Sequence, residues 1–335
     1  MPDIDWPLYL LGDKLLLVKY HRWILNSIFC IPLFALILAY IFVKISHIKR
    51  FWVFFWICAF ALLSHLFLDL ITSYGTMIFS PLSNRRFWLD LVFIIDPSFT
   101  AILLIPLILC YFLKRWTTLI CSLSLILLTL YIGLCGIYHH RAVKSAHRFI
   151  KESNIEYKKM ASLPQPTSLF KWLNLIETQD MVYQGYLDFL RKPGKRSKIY
   201  SDSFWDRLFS KYNSPQEVRY RSFKKLPPSP WIQKALTLDE VTDFYEFARF
   251  PIARYRKIGG HHFVKFVDLR FSTPGMRNPF IYVVEFSPEG HLIRQGFRRW
   301  SYDQGVVVGG QILQIDFVNL KDPNLSSYLL CIKRS

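Results

Sequence analysis

Four apolar runs in the first half of the chain constrain its fold more than any other feature. At 24–43, 51–70, 97–113 and 116–138 the sequence approaches or exceeds the roughly 20 apolar residues needed to cross a hydrocarbon core. Tyr, Trp, Lys and Arg flank these runs, as interfacial anchors do. The connection at 44–50 is short, and the third and fourth runs turn around Lys114 and Arg115, so consecutive spans are antiparallel and the fourth ends on the side where the first began. Residues 1–150 carry 13 Lys or Arg, 6 Asp and no Glu, whereas the remainder carries 29 basic and 18 acidic residues and reads as water-soluble. The expected fold class is an α-helical membrane bundle of about four transmembrane helices followed by a soluble α+β domain. Its expected parts are a transmembrane metal-site domain at 1–148, a basic and Pro-punctuated linker at 149–168, and the soluble domain at 169–335.

Charge sets orientation and limits partners. Lys14, Lys19, Arg22, Arg85, Arg86, Arg141, Lys144 and Arg148 lie on the side of the termini, against Lys44, Lys49, Arg50, Lys114 and Arg115 on the other, which places both termini in the cytoplasm of a multi-pass inner-membrane protein. The formal net charge of +18 comes without a helix-turn-helix, zinc-finger or RNA-binding signature, so anionic membrane lipids are the expected counterpart and no nucleic acid is expected. Six cysteines with no CxxC spacing imply neither a disulfide framework nor a cysteine zinc site. The acidic start, Pro2-Asp3-Ile4-Asp5, differs from the basic start of a cleaved signal peptide.

Within the second run, Ser64-His65-Leu66-Phe67-Leu68-Asp69 places His65 and Asp69 at i and i+4, on one helix face. An imidazole and a carboxylate one turn apart can chelate a cation, and ionisable groups inside a span are expensive enough to mark function. The other reading puts Asp69 at headgroup depth with His65 as its partner. Asp96-Pro97 has the form of a helix N-cap. Antiparallel topology nevertheless brings the N-terminal segment, the end of the second span and the start of the third to one face, where Asp3, Asp5, His21, His65, Asp69 and Asp96 can converge. Mixed imidazole and carboxylate donors suit zinc, manganese or iron, with zinc or manganese the expected cofactor.

These residues resemble the bacterial membrane-bound metal-dependent hydrolases, also called YdjM-like. The similarity lies in Pro2-Asp3-Ile4-Asp5, in His21-Arg22, and above all in the block from His65-Leu66-Phe67-Leu68-Asp69 through Ser73-Tyr74-Gly75-Thr76, Pro81 and Ser83 to Asp96-Pro97. The resemblance covers approximately residues 1–150. It implies Asp3, Asp5, His21, His65, Asp69 and Asp96 as metal-site residues, with Asn26, Ser73, Tyr74 and Arg85 beside them. The family is distantly similar to zinc-dependent phospholipase C, which implies a phosphate ester as substrate class. Two departures stand out. Asn26 occupies a position where members carry histidine, and the chain begins at the Pro-Asp-x-Asp element where members commonly begin with a further helix bearing His-xxx-Gly, implying a late start or a lost site element.

In the soluble half, 171–177 and 181–190 alternate as a strand pair, Thr237-Leu238-Asp239-Glu240 has capping-box form ahead of a helix reaching about Arg249, and 262–271, 280–286 and 292–300 read as strands. Adjacent His261 and His262 point to opposite faces of a strand and so make no shared ligand pair. The expected function is a metal-dependent hydrolase at the membrane surface acting on a lipid or lipid-linked phosphate ester, with Asp5 as general base. The alternative is a non-catalytic membrane-anchored interaction protein with a degenerate metal site. A small transporter is disfavoured, because the charges gather at one face.

Overall fold

A computed structural model of the chain describes residues 22–166, 168–194, 208–209 and 211–297, together with the strands at 306–308 and 311–313. Four helices come first: α1 (Cys30–Ser46), α2 (Phe51–Leu70), α3 (Pro97–Phe112) and α4 (Thr117–Glu152). By length and composition two segments can cross a membrane, Phe51–Leu70 and Lys114–Glu152, while α1 and α3 are shorter apolar helices. Their outward faces carry Leu33, Ile37, Trp56, Phe60, Leu107 and Ile126 exposed. An apolar surface of this kind is stable in hydrocarbon and not in water.

The helices pair two by two. Ala35 and Ala39 of α1 are fully buried, and Ile31 and Ala35 pack against Cys58, Ala59, Leu62 and Leu66 of α2, small residues letting the backbones approach. In the second pair, Pro106 inside α3 has no N–H to offer the Ile102 carbonyl one turn back. Ser124 of α4 donates its hydroxyl to that oxygen at 2.9 Å, so the gap left by the proline becomes an interhelical bond.

Two helix boundaries and one expected linker differ from expectation. The run from Ile24 forms a short 3-10 turn, Ile24–Asn26, and α1 starts only at Cys30, because Asn26 and Ser27 are tied by side-chain bonds to other segments. The fourth helix does not end near Tyr138 but continues to Glu152, carrying Ala142, Ser145 and Ala146 onto the sheet region, where they are buried. The stretch 149–168, expected as a linker, holds the end of α4 and strand β1 (Lys159–Pro164). Pro164 fits there because β1 is an edge strand.

Beyond α4 lie two four-stranded antiparallel meanders. The first is β1, β2 (Lys171–Glu177), β3 (Met181–Asp188) and β4 (Arg221–Lys224), in that order. Two helices, α5 (Pro230–Leu236) and α6 (Asp239–Phe247), then precede the second meander, β5 (Pro251–Ile258), β6 (His261–Asp268), β7 (Ile281–Phe286) and β8 (Leu292–Phe297). A hairpin of β9 (Val306–Val308) and β10 (Gln311–Leu313) comes last. Helices α5 and α6 pack Ile232, Ala235, Val241 and Phe244 onto Val264, Phe266, Tyr282 and Val284 of the second sheet. Leu163, Leu173, Leu175 and Val182 of the first sheet share a core with Phe250, Ile252 and Leu269 of the second.

The expected capping box is not formed. Thr237 ends α5, its hydroxyl donating to the Lys234 carbonyl at 2.8 Å, and α6 begins after Leu238 with no side-chain cap. Asp239 and Glu240 still place negative charge in the first turn, where the helix dipole favours it. His261 and His262 have separate partners: His261 Nδ1 lies 2.9 Å from Glu285, while the His262 ring stacks on Trp231.

Candidate functional site

The polar cluster grows from the last turn of α2. Asp69 is 5% exposed at the C-terminal end of an apolar helix, where the dipole opposes a negative charge and burial strips it of water. A cation must compensate. Arg22 places Nη2 2.9 Å from Asp69 Oδ1 and donates through Nη1 to the Asp69 carbonyl at 3.3 Å and to Thr72 Oγ1 at 3.0 Å. Thr72 donates its hydroxyl to the same carbonyl at 2.8 Å. One guanidinium thus neutralises the acid and covers the carbonyl end of the helix.

The 3-10 turn after Arg22 delivers Asn26, whose Nδ2 donates to Asp69 Oδ2 at 2.6 Å. His65, one turn back on α2, has Nε2 3.4 Å from the same oxygen. The turn is anchored by Met77 N–H to the Arg22 carbonyl at 3.1 Å and by the Ser27 hydroxyl to the Ser80 carbonyl at 2.5 Å.

Asn26, His65 and Asp69 therefore come together. Asp96 caps α3, accepting from the Ser98 and Phe99 amides at 2.9 and 3.0 Å, and takes the Tyr131 hydroxyl at 2.7 Å, so its described partners sit on α3 and α4. The Tyr74 ring lies 5.0 Å from the Arg22 guanidinium. Arg85 is exposed over the Phe87 ring, and it is Arg86 that turns inward, donating to the Gly75 carbonyl at 3.1 Å. Burial pulls the Arg86 guanidinium down to about 10, with Arg270 and Arg22 adding repulsion. Gly75 has φ +95°, and a side chain there would press on Arg86 and Trp88 at 3.3 Å. Asp3, Asp5 and His21 lie outside the described residues. Among the described residues no group of three or more His, Cys, Asp or Glu gathers as metal sites do.

Sequence reasoning used Arg22 only as a charge that sets orientation and as part of the His21-Arg22 motif, not as the partner of Asp69, although a buried acid requires a cation at its own depth. The partners of the 71–96 loop in the turns flanking β5 and β6 carried no sequence signal. Arg249 Nη1 reaches both oxygens of buried Asp90, at 3.0 and 2.7 Å, and its guanidinium lies 4.1 Å from the Trp88 ring centroid. Arg270 Nη1 donates to the Ser73 and Tyr74 carbonyls at 3.2 and 2.7 Å.

Apolar helices that expose hydrocarbon-compatible faces, with a charge-paired acid at one end and a sheet region seated on that end, define a membrane protein with a polar cluster beneath two antiparallel sheets. Residues 1–142 match the family described as YdjM inner membrane protein, consistent with the YdjM-like resemblance of the first half. No curated protein and no solved structure matches the chain.

Proposed function

We propose that the chain is a multi-pass inner-membrane hydrolase that uses a divalent metal, zinc or manganese, to cleave a lipid or lipid-linked phosphate ester at the membrane surface. One separation carries the reading. His65 Nε2 and Asp69 Oδ2 are 3.4 Å apart, long for a hydrogen bond and equal to the distance between two donors around a tetrahedral zinc with bonds of about 2.0–2.1 Å, roughly 3.4 Å. A carboxylate offers about four lone-pair sites, of which Arg22 and Asn26 take one each, so both oxygens keep acceptor capacity.

The described pair supplies two donors, and in this reading the rest come from among Asp3, Asp5 and His21, while Asp96 caps α3. Arg22 pairs with the Asp69 carboxylate, and Asn26 fixes the plane of that carboxylate, as hydrogen bonds to ligating carboxylates do. The metal, when bound, would contribute Lewis-acid charge at the scissile phosphate and a lowered pKa for water. A carboxylate of this set left free of the metal, Asp5 being the candidate, would take the proton of the attacking water. The substrate class is set by depth, since a site at the end of α2 meets headgroups.

In the same reading α1 and α3 complete a four-span bundle with both termini cytoplasmic. A reporter after Ser335 should then read cytoplasmic and one near His47 should read the opposite side; matching sides would remove the four-span topology.

A second reading, a membrane-anchored interaction protein with a degenerate site, is favoured by the fact that Arg22 and Asn26 already pair with both Asp69 oxygens. Metal content separates the two. Purified in detergent, the protein should hold zinc or manganese in stoichiometric amount and lose it in His65→Ala, and metal-dependent cleavage of 4-nitrophenyl phosphate esters should disappear with it. A metal-free wild-type protein that cannot be loaded would favour the second reading.

A further inference from the structure

We propose that Arg270, in the 3-10 turn Leu269–Phe271 that follows β6, is a positioning residue for the Asp69 cluster and acts on it through Tyr74, so that the soluble half holds the membrane site in register. This rests on reading that cluster as the functional site.

Arg270 and Asp268 form an ion pair whose side chains are 1% and 0% exposed. Removing two charges from water is expensive and is offset only when nearly every donor and acceptor is used. Asp268 accepts from the backbone amides of Arg249, Phe250 and Arg270 at 3.2, 3.2 and 3.0 Å, which leaves it no freedom to turn. Arg270 gives Nε and Nη2 to that carboxylate at 3.1 and 2.9 Å and Nη2 also to the Phe247 carbonyl at 3.2 Å. Only Nη1 faces outward, and both its bonds go to the membrane half, to the consecutive carbonyls of Ser73 and Tyr74.

Two consecutive carbonyls held by one rigid fork fix the backbone on both sides of the peptide between them, and with it the direction of the Tyr74 side chain. That ring packs among Phe247, Phe271 and Phe280 at centroid distances of 5.4, 6.1 and 5.9 Å, and it also lies 5.0 Å from the Arg22 guanidinium. Arg22 in turn bonds Asp69 and Thr72, and Thr72 stands two residues before Tyr74. The sheet therefore reaches the acid by two short routes, one along the backbone from Tyr74 to Thr72 and one through the ring to Arg22. Lysine at 270 could not serve both ends, because its donors radiate from one nitrogen.

Hydrogen–deuterium exchange of the full-length protein in detergent, with chelator present, reads this coupling without metal or activity. In Arg270→Lys, amides of 22–28 and 72–80 should exchange at least about 10-fold faster while β1 to β3 keep their protection. Tyr74→Leu should reproduce the change at 22–28 with the second sheet unaltered, and Tyr74→Phe should behave as wild type, since the ring and not the hydroxyl makes both contacts. Unchanged exchange at 22–28 in Tyr74→Leu overturns the proposal, including where Arg270→Lys loosens the whole chain. A protein that shows the coupling but never binds metal would remove the hydrolase reading and leave this one standing.

Discussion

Each half of the molecule buries an aspartate against an arginine, and the two acids are treated differently. Asp268 in the sheet region is saturated: three backbone amides and two nitrogens of Arg270 converge on it, and its side chain is fully buried. Asp69 in the membrane half has one guanidinium, one amide nitrogen, and a histidine held just outside hydrogen-bond range. A saturated acid can only hold structure together, whereas an acid with acceptor capacity beside an imidazole can take a further cation. The membrane pair is also the less expected of the two, since a charge at the carbonyl end of an apolar helix is opposed by the dipole and by desolvation together.

The sharpest break would come from removing each acid. Asp268→Asn leaves Arg270 buried without its counter-charge and should destabilise the protein by about 3–5 kcal/mol, read as a lowered midpoint of thermal unfolding in detergent. If Asp268→Asn were neutral, its saturation would be unimportant and the contrast with Asp69 would lose one side. Asp69→Asn should lower zinc or manganese affinity by more than about 100-fold in equilibrium titrations, since it removes a donor and not merely its support. Asp96→Asn should leave affinity close to wild type, because asparagine still caps α3. Equal losses for the two variants would place Asp96 in the site.

A finer test exploits Asn26. Its nitrogen already donates to Asp69 Oδ2, a role that a histidine N–H could fill as well, so Asn26→His keeps the bond or adds a donor for metal. Metal affinity should rise roughly 10-fold, and a fall would show that the amide is the fitter partner. The smallest effect belongs to the helix pair: Ser124→Ala strands the Ile102 carbonyl and should cost only about 0.6 kcal/mol, measured by the same unfolding midpoint. A loss of several kcal/mol would mean that the hydroxyl is essential to α3 and α4.

Much of this was readable from the chain. The apolar runs located α2, α3 and most of α4, the i, i+4 spacing placed His65 and Asp69 on one face, and the Asp-Pro pair marked the cap of α3. Other features were hidden for identifiable reasons. Strand β1 sits among residues whose prolines read as punctuation, because an edge position tolerates a proline that a central one does not. Thr237 satisfied a capping pattern yet served the preceding helix, since the same hydroxyl can donate backward to a carbonyl or accept forward from an amide.

Hydropathy and period are local properties, and the sequence alone therefore determined the membrane-embedded half, the place of the expensive ionisable pair within it, and the mixed helix-and-sheet character of the half beyond α4. Which cation answers Asp69, and which arginine grips the loop above it, depends on groups brought together from 47 and 197 positions apart, Arg22 with Asp69 and Arg270 with Ser73. A buried charge states only that a partner exists. Several arginines could have met the need, and the choice was made by the packing that decides which of them shares its depth.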